Sequence, residues 1–145
     1  MVAIGEKAPD FDAQDHSGTA FRFSSTRGAP VVLYFYPKAD TPGCTIEAKG
    51  FRDVYPDFAA KNVRVVGVST DECAEQQAFR DKYGLPFPLI ADHDKKVASL
   101  YGVLGPHGNA RRVTFLIDPQ GTVREVVEGA PDVHVQRART AFLTK

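Results

Sequence analysis

The sequence predicts an α/β fold in which a βαβ unit is followed by a ββα unit, within a single domain formed by residues 1–145. Two dense runs of β-branched and aromatic residues, 31–36 and 63–69, flank a segment with helical periodicity. Two further strands, 112–117 and 122–127, are joined by an Asp-Pro-Gln-Gly turn. A chain of 145 residues, of which 43% are hydrophobic, is long enough to bury one core.

The N-terminal segment predicts a small β-hairpin that lies beside the main body. Phe11 and Ala13 alternate with polar neighbours, as on a half-buried strand. A turn-forming cluster at residues 15–18 then leads to Phe21 and Phe23, which would belong to the second strand of the hairpin.

The first dense run, residues 31–36, is apolar or aromatic at every position, as expected of a strand with both faces buried. A proline ends this strand, and Pro42 suits the first turn of a following helix. That helix is predicted over residues 42–61, and Gly50 and Pro56 within it predict a bend or an irregular turn. Its apolar positions recur at roughly helical spacing: Ile46, Phe51, Val54 and Phe58.

Residues 63–69 predict the second buried strand, and the helix after it is predicted over residues 71–82. Ser69 and Glu72 have the spacing of a capping box that would open this helix. Because a helix joins the two buried strands, they must be parallel. Residues 85–90 contain two prolines and predict only a poor central strand.

Two more helices are predicted in the C-terminal part of the chain. Residues 95–101 predict a short helix that Gly102 closes. After the strand pair, residues 133–143 predict an amphipathic helix. The expected inner face of this last helix consists of Val133, Ala138, Ala141 and Phe142.

Composition argues against several classes of partner. Lysine plus arginine and aspartate plus glutamate each number 18, so no general field attracts nucleic acid or an anionic membrane. No stretch approaches the roughly 20 apolar residues that span a bilayer, and no signal peptide is visible. With two cysteines, we expect a reducing, cytoplasmic setting in which the thiols serve packing or chemistry. No metal site is expected, because the cysteines lie on separate elements and the histidines are scattered: His16, His93, His107 and His134.

Cys44 is the first candidate for chemistry, because it lies at or near the positive end of the helix after the first buried strand. A thiol reacts as its thiolate, and an ordinary cysteine with a pKa of about 8.5 is only about 3% ionised at pH 7. A helix N-terminus contributes about 0.3–2 kcal/mol, less than the roughly 3.4 kcal/mol that a reactive thiolate requires. Backbone N–H groups and a nearby cation must contribute the rest, so we expect an arginine from elsewhere in the chain. The alternative is that Cys44 is a small apolar residue packed under a loop.

The segment YPKADTPGCT, residues 36–45, resembles the active-site segment of the peroxiredoxins, whose pattern is proline, three residues, threonine, two residues and cysteine. Its TPGCT form is similar to the bacterioferritin-comigratory or peroxiredoxin Q branch. The resemblance implies a thioredoxin-like fold with an N-terminal extension and an inserted helix, here residues 82–101. Other segments agree in order along nearly the whole chain: APDF, VVGVST, FRDKYGLPFPLIAD, VASLYGV and RVTFLIDPQG.

This resemblance implies a thiol-dependent peroxidase without a cofactor, acting on hydrogen peroxide and organic hydroperoxides in antioxidant defence. The thiolate of Cys44 would attack one peroxide oxygen, release water or an alcohol and become a sulfenic acid. Thr41 would offer its hydroxyl to the peroxide, and Gly43 and Cys44 would offer backbone N–H groups. Pro37 would shield the thiolate from water. Thr41 could instead serve only as a helix N-cap, and Pro37 could simply end the strand.

The expected cation is Arg112, because the family carries its active-site arginine two residues before a small hydroxylated residue, here Thr114. Arginine stays charged and offers a planar fork of donors. Arg111 is the competitor, and alternation along the strand places the two arginines on opposite faces, so only one can reach the site. Glu47, one turn past Cys44, matches a glutamate often found in the family and could hold the arginine. A plain solvated position is the alternative for Glu47.

The second thiol departs from the family pattern. Many peroxiredoxin Q proteins have a resolving cysteine five residues after the peroxidatic one, but Lys49 occupies that position here. Cys73 follows the second buried strand, and parallel neighbours would place both cysteines at the same edge of the sheet. Family members with a resolving cysteine on this helix usually have it nearer Phe79 or Arg80. Resolution by a Cys44–Cys73 disulfide is the first candidate, and a one-cysteine cycle completed by an outside thiol is the alternative.

Thioredoxin or a similar thiol reductant is the partner that the resemblance implies, and we expect a monomer rather than a dimer. Two other hypotheses remain. A thioredoxin-type thiol–disulfide oxidoreductase would need a Cys-x-x-Cys motif, and the residue three positions after Cys44 is Glu47. A non-catalytic thioredoxin-like binding module or chaperone would not require Thr41, Cys44 and Arg112 together.

Overall fold

The computed structural model describes residues 1–143, and its central feature is a seven-stranded mixed sheet. In chain order the elements are β1 Asp12–Asp15, β2 Ala20–Arg22, β3 Val31–Phe35, α1 Pro42–Ala60, β4 Arg64–Ser69, α2 Cys73–Tyr83, β5 Leu89–Ala91, α3 Lys96–Tyr101, β6 Val113–Ile117, β7 Val123–Val127 and α4 Pro131–Leu143. The strands lie in the order β2-β1-β5-β4-β3-β6-β7. None of the helices within residues 1–143 is long and apolar enough to cross a membrane.

Strand β3 is the centre of this arrangement, and all of its residues are buried. It runs parallel to β4 and antiparallel to β6, as the predicted βαβ and ββα units require. Alternate side chains of β3 enter two cores: Leu33 packs on the face that α3 covers, and Tyr34 packs on the face that α1 and α4 cover. The predicted α/β class is therefore confirmed.

The N-terminal hairpin is part of the sheet, whereas the sequence placed it beside the main body. Strands β1 and β2 pair antiparallel, and β1 also pairs antiparallel with β5 through Gln14 and Ala91. The prediction of only a poor strand at residues 85–90 was wrong as well, because β5 lies between β4 and β1. Both prolines precede the paired residues, so they remove no N–H group from the ladder. The carbonyl of Pro88 accepts a hydrogen bond from the N–H of Gly67 at 3.1 Å, a distance typical of a sheet.

Helix α1 runs from Pro42 to Ala60 as one α-helix, despite the bend expected at its glycine and proline. Gly50 instead serves helix packing: an added Cβ would lie 2.9 Å from Cγ2 of Val135 on α4. A glycine at this position therefore lets the two helices approach closely. Ile46, predicted on the apolar face, is 60% exposed.

The start of α2 differs from the predicted capping box. Glu72 is the N-cap and Glu75 completes the box, so the helix begins at Cys73. Ser69 remains in β4, where its hydroxyl donates to the buried carboxylate of Asp71 at 2.6 Å. At the start of α3, both carboxylate oxygens of the buried Asp92 accept backbone N–H groups. Asp92 therefore satisfies two donors in the first turn of that helix.

Helix α4 begins two residues earlier than predicted, and its inner face differs from the prediction at its N-terminal end. Ala138 is buried and Ala141 and Phe142 pack against the core, as predicted, but Val133 is 37% exposed and His134, which was not predicted, is fully buried. The helix packs mainly against α1. This packing buries His134 next to Glu47, one of the residues predicted to belong to the active site.

Candidate active site

Cys44 is the third residue of α1, at the end of the loop that follows β3. Thr41 is the N-cap, and Pro42 occupies the first helical position, where a missing N–H is harmless. The Cys44 side chain is buried, with 1% of its surface exposed. The strand therefore delivers this sulfur to the interior at the positive end of a helix, as the sequence predicted.

Arg112 brings a positive charge to this sulfur. Its Nη2 lies 3.4 Å from Cys44 Sγ, and its Nη1 donates to Glu47 Oε1 at 2.7 Å. Partial burial alone would lower the pKa of Arg112, but the charges of Glu47 and Cys44 outweigh burial and raise it. Arg112 precedes β6 by one residue rather than opening it. Arg111 points elsewhere and forms an ion pair with Glu128.

The backbone at the helix start offers donors to the same space. The N–H of Thr45 is bonded to the carbonyl of Thr41 at 2.8 Å, as an i to i−4 helix bond. The N–H groups of Gly43 and Cys44 precede it and have no acceptor within the helix. The Thr41 side chain does not cap them. Such free N–H groups form an anion-binding position at a helix N-terminus.

The hydroxyl of Thr41 is directed differently from the expectation. It donates to the carbonyl of Lys38 at 2.7 Å, so its proton is engaged within the loop. The oxygen is left to accept a hydrogen bond rather than to donate one. Thr41 therefore lies in the expected position, but its hydroxyl oxygen acts as a hydrogen-bond acceptor and not as a donor.

The loop between β3 and α1 is tied to the elements around it. The N–H of Ala39 donates to Asp71 at 2.7 Å. Asp40 has a left-handed backbone (φ 59°), and its carboxylate accepts from Lys82 at 2.9 Å and from the Tyr83 hydroxyl at 2.8 Å. Pro37 begins this loop and is half-buried. The sequence pattern does not predict these contacts of Asp40, which fix the approach to the helix.

Glu47 is fully buried, which excludes the solvated position considered for it. Burial raises the pKa of its carboxyl to about 8, against the opposing charge and hydrogen bond of Arg112. Behind it, Nδ1 of His134 lies 3.6 Å from Glu47 Oε2 and 2.7 Å from the hydroxyl oxygen of Thr114. Burial lowers the pKa of His134. His134 was missed, although residues 134, 138, 141 and 142 have a better helical spacing than the face that was predicted.

The structure does not bring Cys73 to Cys44. The Cys73 sulfur lies 3.7 Å from Oε1 of Gln14, on β1. In the sheet β1 is three strands away from β3, a distance of about 14 Å at ordinary strand spacing. A disulfide requires Cα atoms within about 7 Å, so both cysteines are free. Lys49 is exposed and lies 5.9 Å above the Tyr83 ring.

Gly43 has a steric reason to be a glycine. An added Cβ would lie 3.0 Å from Nη2 of Arg112, in the position that the guanidinium occupies beside Cys44. We expect Gly43→Ala to displace Arg112 and to lower the rate of Cys44 oxidation by peroxide about tenfold. Alanine also favours a helix by about 0.5–1 kcal/mol, so the free energy of unfolding should not fall.

The matched control is Gly50→Ala on the same helix, where the new Cβ meets Val135 instead of Arg112. We expect this variant to lose stability and to keep its oxidation rate. Stopped-flow oxidation and chemical denaturation measure both quantities. A Gly43→Ala protein that reacts at the original rate would show that the position of Arg112 is not limiting.

Comparison with known proteins gives matches along most of the chain. The model of the AhpC/TSA family matches residues 4–126. A putative peroxiredoxin bcp from Coxiella burnetii is 41% identical over 132 residues, which are 86% of this chain and 87% of that protein. A chloroplastic peroxiredoxin Q from Oryza sativa subsp. japonica is 38% identical over 143 residues, which are 92% of this chain and 64% of that protein. The crystal structure of peroxidoxin BcpB from Mycobacterium tuberculosis is similar with a TM-score of 0.90 and 37% identity, over 96% of this chain and 95% of that chain.

Proposed function

Since the chain belongs to the AhpC/TSA family and is a peroxiredoxin, we propose that it is a thiol-dependent peroxidase in which Cys44 is the sulfur that peroxide oxidises. Hydrogen peroxide and organic hydroperoxides are the proposed substrates. One observation carries the assignment of the residues: Nη2 of Arg112 lies 3.4 Å from the buried sulfur at the start of a helix. The contact supports Arg112 as the cation that a reactive thiolate needs.

The proposed reaction follows from the groups around the sulfur. The Cys44 thiolate attacks one peroxide oxygen, an S–O bond forms and the O–O bond breaks. The bonding electron pair leaves with the second oxygen, which takes up a proton and departs as water or an alcohol, and Cys44 becomes a sulfenic acid. Arg112 and the free N–H groups at the helix start stabilise the negative charge on the leaving oxygen. The hydroxyl oxygen of Thr41 accepts the peroxide O–H.

Pro37 and Glu47 have supporting roles in this proposal. Pro37 is half-buried at the start of the loop and has no N–H group, so it adds no donor that would compete for the thiolate. Glu47 holds the second arm of the guanidinium through its bond to Nη1 of Arg112. A thioredoxin-type dithiol mechanism finds no support, because Glu47 stands where that mechanism needs its second cysteine.

Two routes can return the sulfenic acid to the thiol. An internal disulfide with Cys73 requires the first turn of α1 to unwind and the two sulfurs to cross the distance between β3 and β1. The bonds of Asp40 to Lys82 and Tyr83 would have to open in that case. The alternative is attack by an outside thiol. Thioredoxin or a similar reductant is the proposed source of electrons in both routes, and we propose a cytoplasmic monomer.

Mass spectrometry after one equivalent of peroxide tests both the function and the route. We expect oxidation at Cys44, seen either as a sulfenic acid that a dione reagent traps or as a disulfide. An internal Cys44–Cys73 disulfide supports the two-cysteine cycle, and a lasting sulfenic acid supports the one-cysteine cycle. If Cys44 stays reduced while peroxide remains in solution, the proposed function is rejected.

A further inference from the structure

A buried polar cluster lies behind Arg112, on the side away from the peroxide. It consists of Glu47 on α1, Thr114 on β6 and His134 on α4, and all three side chains have 0% of their surface exposed. The mechanism above uses only one oxygen of this cluster, Oε1 of Glu47. The remaining polar atoms must therefore satisfy one another without solvent.

The histidine ring has a defined hydrogen-bond pattern. Its Nε2 lies 3.1 Å from the carbonyl oxygen of Gly129, which can only accept, so Nε2 carries a proton. Its Nδ1 lies 2.7 Å from the hydroxyl oxygen of Thr114 and 3.6 Å from Oε2 of Glu47. In the neutral ring, Nδ1 is an acceptor whose one lone pair receives the Thr114 hydroxyl, and Oε2 of Glu47 lies beyond hydrogen-bond distance from it.

Oε2 of Glu47 has no hydrogen-bond partner among residues 1–143. An ionised carboxylate with one unpartnered oxygen, buried beside a neutral imidazole that has no N–H group left to donate to it, is an unfavourable arrangement. A single additional proton removes the conflict. It can reside on Oε2 and neutralise the carboxyl, or it can reside on Nδ1 and place a cationic ring 3.6 Å from Oε2.

We propose that Glu47 and His134 together hold one proton, and that His134 thereby acts as a positioning residue that leaves the charge of Arg112 directed at Cys44. With that proton, the buried group of Arg112, Glu47 and His134 carries one net positive charge. Without it, the carboxylate neutralises the guanidinium, and Cys44 faces an ion pair in place of a cation. The consequence for peroxide reduction rests on the proposed function, whereas the shared proton does not.

The surroundings are consistent with a proton at this place. Burial raises the pKa of Glu47 to about 8 and lowers the pKa of His134, so the environment disfavours the charged form of each group. Burial also raises the pKa of Tyr34 well above its ordinary value, so its hydroxyl stays neutral beside Glu47. The charged and titratable groups that face the pair are Arg112 before β6, Cys44 on α1, Tyr34 on β3, Asp132 on α4 and Glu128 before α4.

Nuclear magnetic resonance of the full chain, labelled with ¹⁵N in the histidine rings, detects this proton directly. The His134 signals are assigned by their absence in His134→Gln. We expect the Nδ1 signal of His134 to titrate near pH 8 in the wild type and to stay constant between pH 6 and 10 in Glu47→Gln, whose amide cannot lose a proton there. A wild-type signal that does not titrate, or the same titration in Glu47→Gln, would overturn the shared proton. Peroxide is absent from this measurement, so its outcome is independent of the proposed function.

The positioning role is tested through the thiolate of Cys44, measured by its ultraviolet absorbance between pH 5 and 8.5. A glutamine at position 134 can donate to Oε2 and keep Glu47 ionised. We therefore expect His134→Gln to raise the pH of half-formation of the thiolate by about one unit, a tenfold change. The double variant His134→Gln with Glu47→Gln should reverse this shift, because a neutral amide replaces the protonated carboxyl.

Tyr34→Phe is the matched control, because it removes the other buried side-chain oxygen that lacks a hydrogen-bond partner within residues 1–143. It should leave the thiolate curve unchanged. A shift in Tyr34→Phe equal to that in His134→Gln, or no reversal in the double variant, would reduce His134 to a packing residue. If His134→Gln does not fold, the comparison of wild type with Glu47→Gln by magnetic resonance still decides the proposal.

Discussion

Replacing Cys44 with serine is expected to lower the rate of peroxide consumption about 1,000-fold or more. The serine hydroxyl is not ionised at neutral pH, and it cannot form the S–O bond through which the proposed reaction passes. The substitution removes one polarisable atom from a buried position and keeps the size of the side chain nearly constant, so the fold should remain. The measurement is peroxide loss in the presence of excess dithiol.

The matched control for this variant is Cys73→Ser, which removes the other thiol of the chain. We expect the first oxidation of Cys44 to proceed at the wild-type rate in this control, because Cys73 lies on the far side of β5 and β4. If peroxide consumption persists in Cys44→Ser and disappears in Cys73→Ser, then Cys73 is the reacting sulfur and the assignment to Cys44 is wrong.

Replacing Arg112 with methionine is expected to lower the rate of Cys44 oxidation roughly 100-fold. The substitution removes the donor 3.4 Å from the sulfur and the charge that opposes protonation of the thiolate. Loss of a single donor to a developing oxyanion costs about 100-fold to 1,000-fold in comparable sites. The rate of Cys44 oxidation in Arg112→Lys should lie between those of the wild type and Arg112→Met. Lysine keeps the charge but lacks the planar fork with which arginine contacts both Cys44 and Glu47.

Arg111→Met is the control for this series, since Arg111 is the preceding residue and pairs with Glu128 away from the sulfur. Its oxidation rate should match that of the wild type within about twofold, because an exposed ion pair of this kind contributes little. Equal losses of rate in Arg111→Met and Arg112→Met would indicate a general electrostatic effect and would contradict the specific role of Arg112.

Much of this site could be predicted from local sequence. A buried strand, a proline and a helix start place Cys44 at the end of a strand by rules that act over fewer than 15 residues. The alternation of strand residues separated Arg112 from Arg111, although Arg112 itself precedes β6. The need for a cation followed from an energy comparison and not from a sequence motif: a helix N-terminus alone contributes too little free energy to keep the thiol ionised.

What could not be predicted depends on contacts between distant parts of the chain. Strand β5 is short, follows two prolines and is stabilised by pairing with β4 and β1, so its own residues carry little signal. Asp40 adopts a left-handed backbone and is bonded to residues more than 40 positions away. His134 resembled a scattered surface histidine because an inner face that included Val133 was chosen for α4.

The position of Cys73 shows the limit of topology as a guide to distance. Both cysteines follow parallel strands, as predicted, yet the N-terminus of α2 lies over β1 rather than over β3. Strand order decides which elements share an edge of the sheet. It does not fix how far a helix start extends across that edge, which depends on the packing of the helix.

The ionisation of Cys44 is the most direct test of the central claim. The ultraviolet absorbance of the thiolate, taken as the difference between wild type and Cys44→Ser, reports the ionised fraction without a reagent that must enter the buried site. At pH 7 we expect a thiolate signal in the wild type above that of an ordinary thiol, and we expect most of this signal to be lost in Arg112→Met. An ionised fraction of about 3% in the wild type, as in an ordinary thiol, would contradict it.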